Sequence, residues 1–164
     1  MDNQPINSQC CPELNVTKWD NQTFIWNNKM FIKETIPTLF HMPFPPMIGQ
    51  KITKMFTHAE KVNANLDNKE DTLILFADPS AFKSEIYLTV KSPIDNENNV
   101  TISGTFMSKV FDGGYNDVPK HIKQMDQYLN TINKKAKKYY IHYAYCPKCA
   151  KKFGHNYMIF FAEI

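Results

Sequence analysis

The sequence predicts an α+β fold: a duplicated strand-helix-strand-strand unit forming an antiparallel sheet with two helices on one face. Three observations predict it. Apolar residues recur at helical spacing twice, at Ile48, Ile52, Met55, Phe56, Ala59 and Val62, and at Val118, Ile122, Met125, Leu129, Ile132 and Ala136. Each stretch follows one strand-like run and precedes two more. The 164 residues, 43% of them hydrophobic and 13% aromatic, suffice for a single core.

Residues 1–18 form a polar arm with Pro5 and Pro12, ahead of a single domain over residues 19–164. The domain opens on Phe24-Ile25-Trp26 and an Asn27-Asn28-Lys29 turn signal. A strand runs from Met30 to Met42 and ends in the proline-rich His41–Pro46 stretch, because proline cannot donate to a ladder. The first helix carries Lys51, Lys54 and Lys61 off its apolar face and stops in the asparagine-rich residues 63–68. Leu73–Ala77 reads as a buried strand closed by Asp78-Pro79-Ser80. In the next strand Ile86, Leu88 and Val90 face one way, Glu85, Tyr87 and Thr89 the other.

After a turn at residues 92–99 the pattern repeats, giving pseudo-repeats at about residues 30–91 and 99–164. Val100–Phe111 is a strand interrupted by Gly104, and Asp112–Tyr115 a loop. Asn116 or Asp117 caps a helix that tolerates Pro119 in its first turn and continues to Ala136, with Lys134, Lys135, Lys137 and Lys138 complementing its C-terminal dipole. Two strands, Tyr139–Tyr145 and Tyr157–Ile164, flank a hairpin loop holding Cys146-Pro-Lys-Cys149.

The longest apolar runs fall far short of the ~20 residues that cross a bilayer, and residues 1–12 lack a secretory pattern, so the expectation is a cytoplasmic protein without a membrane partner. All 19 basic residues are lysine. Base readout leans on the arginine fork, so the composition argues against nucleic acid as a partner. Residues 119–164 carry a net +7 and the preceding residues −4. A solvated basic face is the plainer reading, and an interaction surface for polyanions the sharper one.

The sheet face opposite the helices is offered Tyr, Phe and Trp more than aliphatics, and an aromatic concavity with a few polar groups is a usual small-molecule site. Here a resemblance enters. The run from Ile102 through Gly104, Phe106, Val110 and Asp112-Gly-Gly-Tyr115 into a capped helix resembles the strand and Gly-Pro-Tyr loop of gyrase-inhibitor-like (GyrI-like) ligand-binding domains. The whole chain is similar to a small bacterial family described as hydrolases, through Cys10-Cys11-Pro12, Trp19-Asp20, Trp26, Lys29 and Phe31, Cys146–Lys151, and Gly154, Asn156 and Tyr157. Gly114 stands where that loop has proline, and Tyr157 or Met158 where an acid is expected early in the last strand.

The resemblance implies a small-molecule ligand, bulky, aromatic and often cationic, with hydrolysis of electrophilic compounds through a carboxylate in some relatives. The ligand-lining candidates are Trp26, Tyr87, Phe106 and Tyr115, with His142 as a core or rim histidine. The carboxylate candidates are Glu85, Asp112 and Glu163, each beside an aromatic (Tyr87, Tyr115, Phe161) that would raise its pKa and fit it to activate water. For each singly, the plainer alternative is a turn cap at Asp112 and solvent-facing side chains at Glu85 and Glu163. Binding without turnover, hydrolysis, and a protein-interaction domain stay open as functions.

No cofactor is required by this reading. Cys146 and Cys149 have the spacing of half a zinc site, which Cys10 and Cys11, with His155 in reserve, would complete as a structural clip between arm and hairpin; because adjacent cysteines rarely ligate with both sulfurs, the expected ligands are Cys11, Cys146 and Cys149. A redox dithiol fits less well, because a strand-to-strand loop lacks the helix terminus that lowers a thiol pKa. Plain reduced thiols are the third reading.

Overall fold

Alternation of side chains along a strand separates an aromatic set from an aliphatic one, and the chain wraps the first set inside and lays helices over the second. The computed structural model describes residues 11–40, 42, 43 and 45–164; residues 1–10 of the expected arm, Cys10 among them, and His41 at the expected strand end lie outside the described residues. The elements are a single helical turn α1 (Val16–Trp19), β1 (Gln22–Leu39), β2 (Met42–Pro43), α2 (Pro45–Lys61), β3 (Ile74–Ser80), β4 (Lys83–Thr89), β5 (Asn99–Asp112), α3 (Val118–Thr131), β6 (Lys138–Tyr143), α4 (Pro147–Phe153) and β7 (Tyr157–Glu163). The succession β1-α2-β3-β4 is thus answered by β5-α3-β6-β7, a mixed α+β architecture with all strand pairs antiparallel and the helices beside the sheet.

The sheet closes on itself. Its order is β1, β4, β3, β6, β7, β5, and β5 pairs back onto β1. The closure depends on the length of β1: Gln22–Trp26 pair with β5, Lys33–Pro37 with β4, and Phe31 and Ile32 with both. The Asn27-Asn28 signal is therefore a bulge inside one strand and not a turn before it. Asn28 adopts φ 51° and donates its amide to Ser103 Oγ at 2.8 Å, while the register slips between Trp26 and Lys29.

Inside the ring Phe31, Leu75, Phe106, Ile159 and Phe161 are fully buried, with Trp19 and Trp26 beside them. Trp26 lies 4.3 Å from Phe106 and 5.3 Å from Phe161, centroid to centroid, and Tyr87 meets Phe31 and Tyr140 edge-on. On the outer face Met55 and Ala59 of α2 cover Ile32, Ile36, Ile86 and Leu88, and Met125 and Leu129 of α3 cover Met107 and Ala162.

Both long helices end alike. Ala64 and Asn63 donate back to Ala59 and Glu60, and Lys134 and Asn133 to Leu129 and Asn130. Asn63 (φ 54°) and Asn133 (φ 56°) occupy the left-handed position of this motif. That stops α2 before Val62, which is 54% exposed and off the expected apolar face, and α3 before Ala136, so the four lysines follow the helix. Asp78-Pro79-Ser80 continue β3 where a strand end was expected. Besides the two helix-end asparagines, Asn21, Asn28 and Asn96 also carry positive φ, against Phe40 alone among other non-glycine described residues.

The expected result of Phe161→Ala, which empties the centre of the ring, is a loss of about 3–5 kcal/mol, read by urea unfolding. Ile25→Ala at an 80% exposed position should change stability by less than ~0.5 kcal/mol.

Candidate functional site

α2 packs over β1 and β4, α3 over β5 and β7, and the central strands β3 and β6 lie between them. Because side chains alternate along β3, Ile74, Phe76 and Asp78 share its outer face. The register sets Phe76 against Ile141 of β6. These residues and Tyr143 line part of a cavity of about 1660 Å³, walled here by Ile48, Ile52 and Phe56 of α2, by Tyr115 just ahead of α3 and by Val118 and Ile122 of α3; the same cavity reaches Trp19, Leu73 and Tyr145.

Tyr143 meets the edge of Phe76 at 5.2 Å and stacks on Tyr115 at 5.7 Å, 25° from parallel. Tyr115, 46% exposed, forms the rim. Burial pushes both phenols above their ordinary pKa, and the negative charge of Asp78 pushes them further. Neutral ring faces stand beside the Asp78 carboxylate in one part of the cavity, whose wider wall also carries Glu13, Glu60, Asp67 and Glu70 and the lysines Lys18, Lys69, Lys137 and Lys138. Ring faces with a nearby carboxylate suit a lipophilic cation or planar molecule.

Among the expected ligand-lining residues, Tyr115 and His142 line this cavity, Tyr115 on the helix side of the sheet. Trp26, Tyr87 and Phe106 stand on the opposite face, 8%, 5% and 0% exposed, because closure of the ring turns that face into core. His142, half-buried on β6 opposite Leu75, accepts from the Ile74 amide at its Nδ1 at 3.0 Å, and burial pushes its pKa down to about 4.

The three expected carboxylates are not brought together in the crevice. Glu85 faces the ring interior and takes the Tyr87 hydroxyl and, at 3.2 Å, Lys33 Nζ. Burial pushes its carboxyl up, but these partners outweigh it and hold the carboxyl below its ordinary range. Glu163 belongs to the same interior face, opposite Lys138, whose ammonium lies 4.7 Å from the Tyr140 ring. Asp112 sits at the far end of β5, accepting from His155 Nδ1 at 2.8 Å and the Asn156 amide at 2.9 Å, which lowers its pKa. Sequence reasoning passed over Phe76, Asp78 and Tyr143. The available signal was alternation: Asp78 is two residues beyond Phe76 on one strand face, hidden by the turn-like Asp-Pro-Ser string.

Away from the crevice floor, the sulfurs of Cys11, Cys146 and Cys149 lie within 4.8 Å of one another and could hold a metal ion. The expected hairpin loop contains α4, with Cys146 as its N-cap and Pro147 at its first position. The dithiol therefore does begin a helix, contrary to the loop expected there.

An antiparallel sheet of two β-α-β-β units with a helix-flanked crevice is the gyrase-inhibitor-like (GyrI-like) fold. The structure of SAV2435 bound to tetraphenylphosphonium superposes with a TM-score of 0.52 at 12% identity, over 87% of this chain and 92% of that one. A protein described as a bacterial transcription regulator from Staphylococcus aureus MU50 matches with a TM-score of 0.44 at 14% identity, over 87% and 94%. No curated protein matches. The chain belongs to the family described as bacterial hydrolase, whose model matches residues 1–164. No helix among the described residues is long and apolar enough to cross a membrane.

His142 gives the site region a pH signature. Its pKa is about 4 in the folded protein against an ordinary 6.5, so the unfolded chain binds more protons between those values. Stability should fall as pH drops through that window, by roughly 3 kcal/mol, and level off below it. His142→Gln should flatten the profile in urea titrations taken across the window.

Proposed function

We propose that the crevice between α2 and α3 binds a small lipophilic cation or planar aromatic molecule, without obligatory turnover. The observation that carries this reading is the stacked Tyr115–Tyr143 pair above Phe76 with Asp78 on the same strand face. SAV2435, which shares the fold, was captured with tetraphenylphosphonium, a ligand of this chemistry. In this reading the crevice uses no cofactor, and the partner is the ligand itself. A cytoplasmic location suits a protein that intercepts such compounds after entry.

The rings supply dispersion and cation–π attraction, and the carboxylate supplies long-range attraction for a positive charge. Each ring contact with a cation contributes ~0.5–2 kcal/mol. Tyr143→Ala should therefore weaken tetraphenylphosphonium binding about tenfold, measured by calorimetry. Asp78→Asn should weaken it about threefold or more and leave affinity for an uncharged planar analogue unchanged. Asp112→Asn, outside the crevice, should have no effect. Equal affinity in Tyr143→Ala and the parent protein would remove the crevice as the site.

The family description favours a second reading, hydrolysis of an electrophilic ligand. Asp78 is then the base: its carboxylate takes a proton from water as the water oxygen attacks the ligand's electrophilic carbon, the bond from that carbon to the leaving group breaks, and the leaving group takes the proton back from the Asp78 carboxyl. Turnover of an ester and cyclopropane panel should vanish in Asp78→Asn and survive in Glu85→Gln and Glu163→Gln. Activity that persists in Asp78→Asn and disappears in either glutamate variant would transfer the chemistry to the ring interior.

A further inference from the structure

The cysteines of the arm and the last hairpin come from positions more than 130 residues apart, yet their sulfurs converge to within 4.8 Å. Thiolates bound to one zinc at ~2.3 Å in a tetrahedron lie about 3.8 Å apart, so a small contraction brings the three onto a common ion. A single metal ion can take all three of these sulfurs at once.

The surroundings fit a metal. The Cys146 amide donates to Cys11 Sγ at 3.3 Å, an N–H to sulfur bond of the kind that supports a ligating thiolate from outside the coordination shell. Pro147 fixes the first position of α4 and thereby the separation of Cys146 from Cys149, which is buried. Lys148, Lys151 and Lys152 on the same helix offset the net negative charge of three thiolates around a divalent ion. The arm is aligned by a second contact, the Leu14 amide donating to the Tyr145 hydroxyl at 2.9 Å.

We propose that Cys11, Cys146 and Cys149 bind one zinc ion as thiolates, and that this ion clips the chain ahead of α1 onto α4. Binding replaces three S–H bonds with three S–Zn bonds and releases three protons, with no change in oxidation state. A solvent molecule or a further side chain completes the tetrahedron. Cys11, Leu14, Tyr145 and Cys146 also line one end of the crevice, so the ion fixes part of its wall.

The test uses the full chain, expressed in zinc-supplemented medium and purified under reducing conditions. One zinc per chain should survive gel filtration. Cobalt(II) added to chelator-stripped protein should give the visible bands of tetrahedral coordination and a thiolate charge-transfer band. Cys11→Ser, outside the closed sheet, should weaken cobalt binding by at least about tenfold and speed proteolytic cleavage near residues 11–20 while the sheet's circular dichroism stays unchanged. Absence of metal with all thiols reduced, cobalt spectra identical in Cys11→Ser and the parent, or a disulfide found by mass spectrometry after rapid alkylation would each overturn the proposal.

Discussion

The double pairing of β1 is the constraint on which the rest of the molecule depends. A strand of ordinary length reaches one neighbour on each side over its whole run; β1 is 18 residues long and uses its two ends for different partners, β4 and β5, overlapping only at Phe31 and Ile32. That offset seals the sheet, turns its inner face into a cavity that only large rings fill well, and forces both helices outward. Each strand of the six-membered ring has a neighbour on both sides, which encloses the aromatic interior.

From closure follows the division of labour between the two faces. The interior is packed by Trp26, Phe106, Phe161 and their neighbours at ring distances of about 4–6 Å, which stabilises the fold and leaves little room for a guest. The outer face carries less material over its centre, because α2 packs chiefly on β1 and β4 and α3 chiefly on β5 and β7, and neither covers β3 and β6 fully. Side chains from the two sides meet at the Phe76–Ile141 register.

Much of this was legible in the residues and some of it was not. The β4 alternation, the two apolar helix faces and the duplicated order of elements are local signals, and local physics decided them. The β1–β5 pairing joins residues some eighty positions apart, for which no local pattern speaks, and without it the aromatic face reads as a groove. Hence Trp26, Tyr87 and Phe106 looked like ligand platforms, while Tyr115, on a helix-capping turn, stood in the crevice. Asn27-Asn28 carries the chemistry of a turn because a bulge asks for the same left-handed backbone. Asp78 was masked by its proline neighbour, although Pro79 lies where β3 has already passed its last pairing with β6. The convergence of Cys11 with Cys146 and Cys149 was readable as a ligand set but not as a place.

The asparagines bear on the denatured chain as much as on the folded one. With only five glycines in the sequence, the left-handed corners at residues 21, 28, 63, 96 and 133 fall to asparagine. Asparagine pays a modest steric cost at such a corner, but its side chain narrows the wandering of the unfolded backbone, which glycine does not. Each corner thus starts closer to its final geometry. Glycine at these positions would relieve the corner and loosen the denatured ensemble together, two effects of opposite sign, so the molecule gains its turns without the floppiness that glycine would bring.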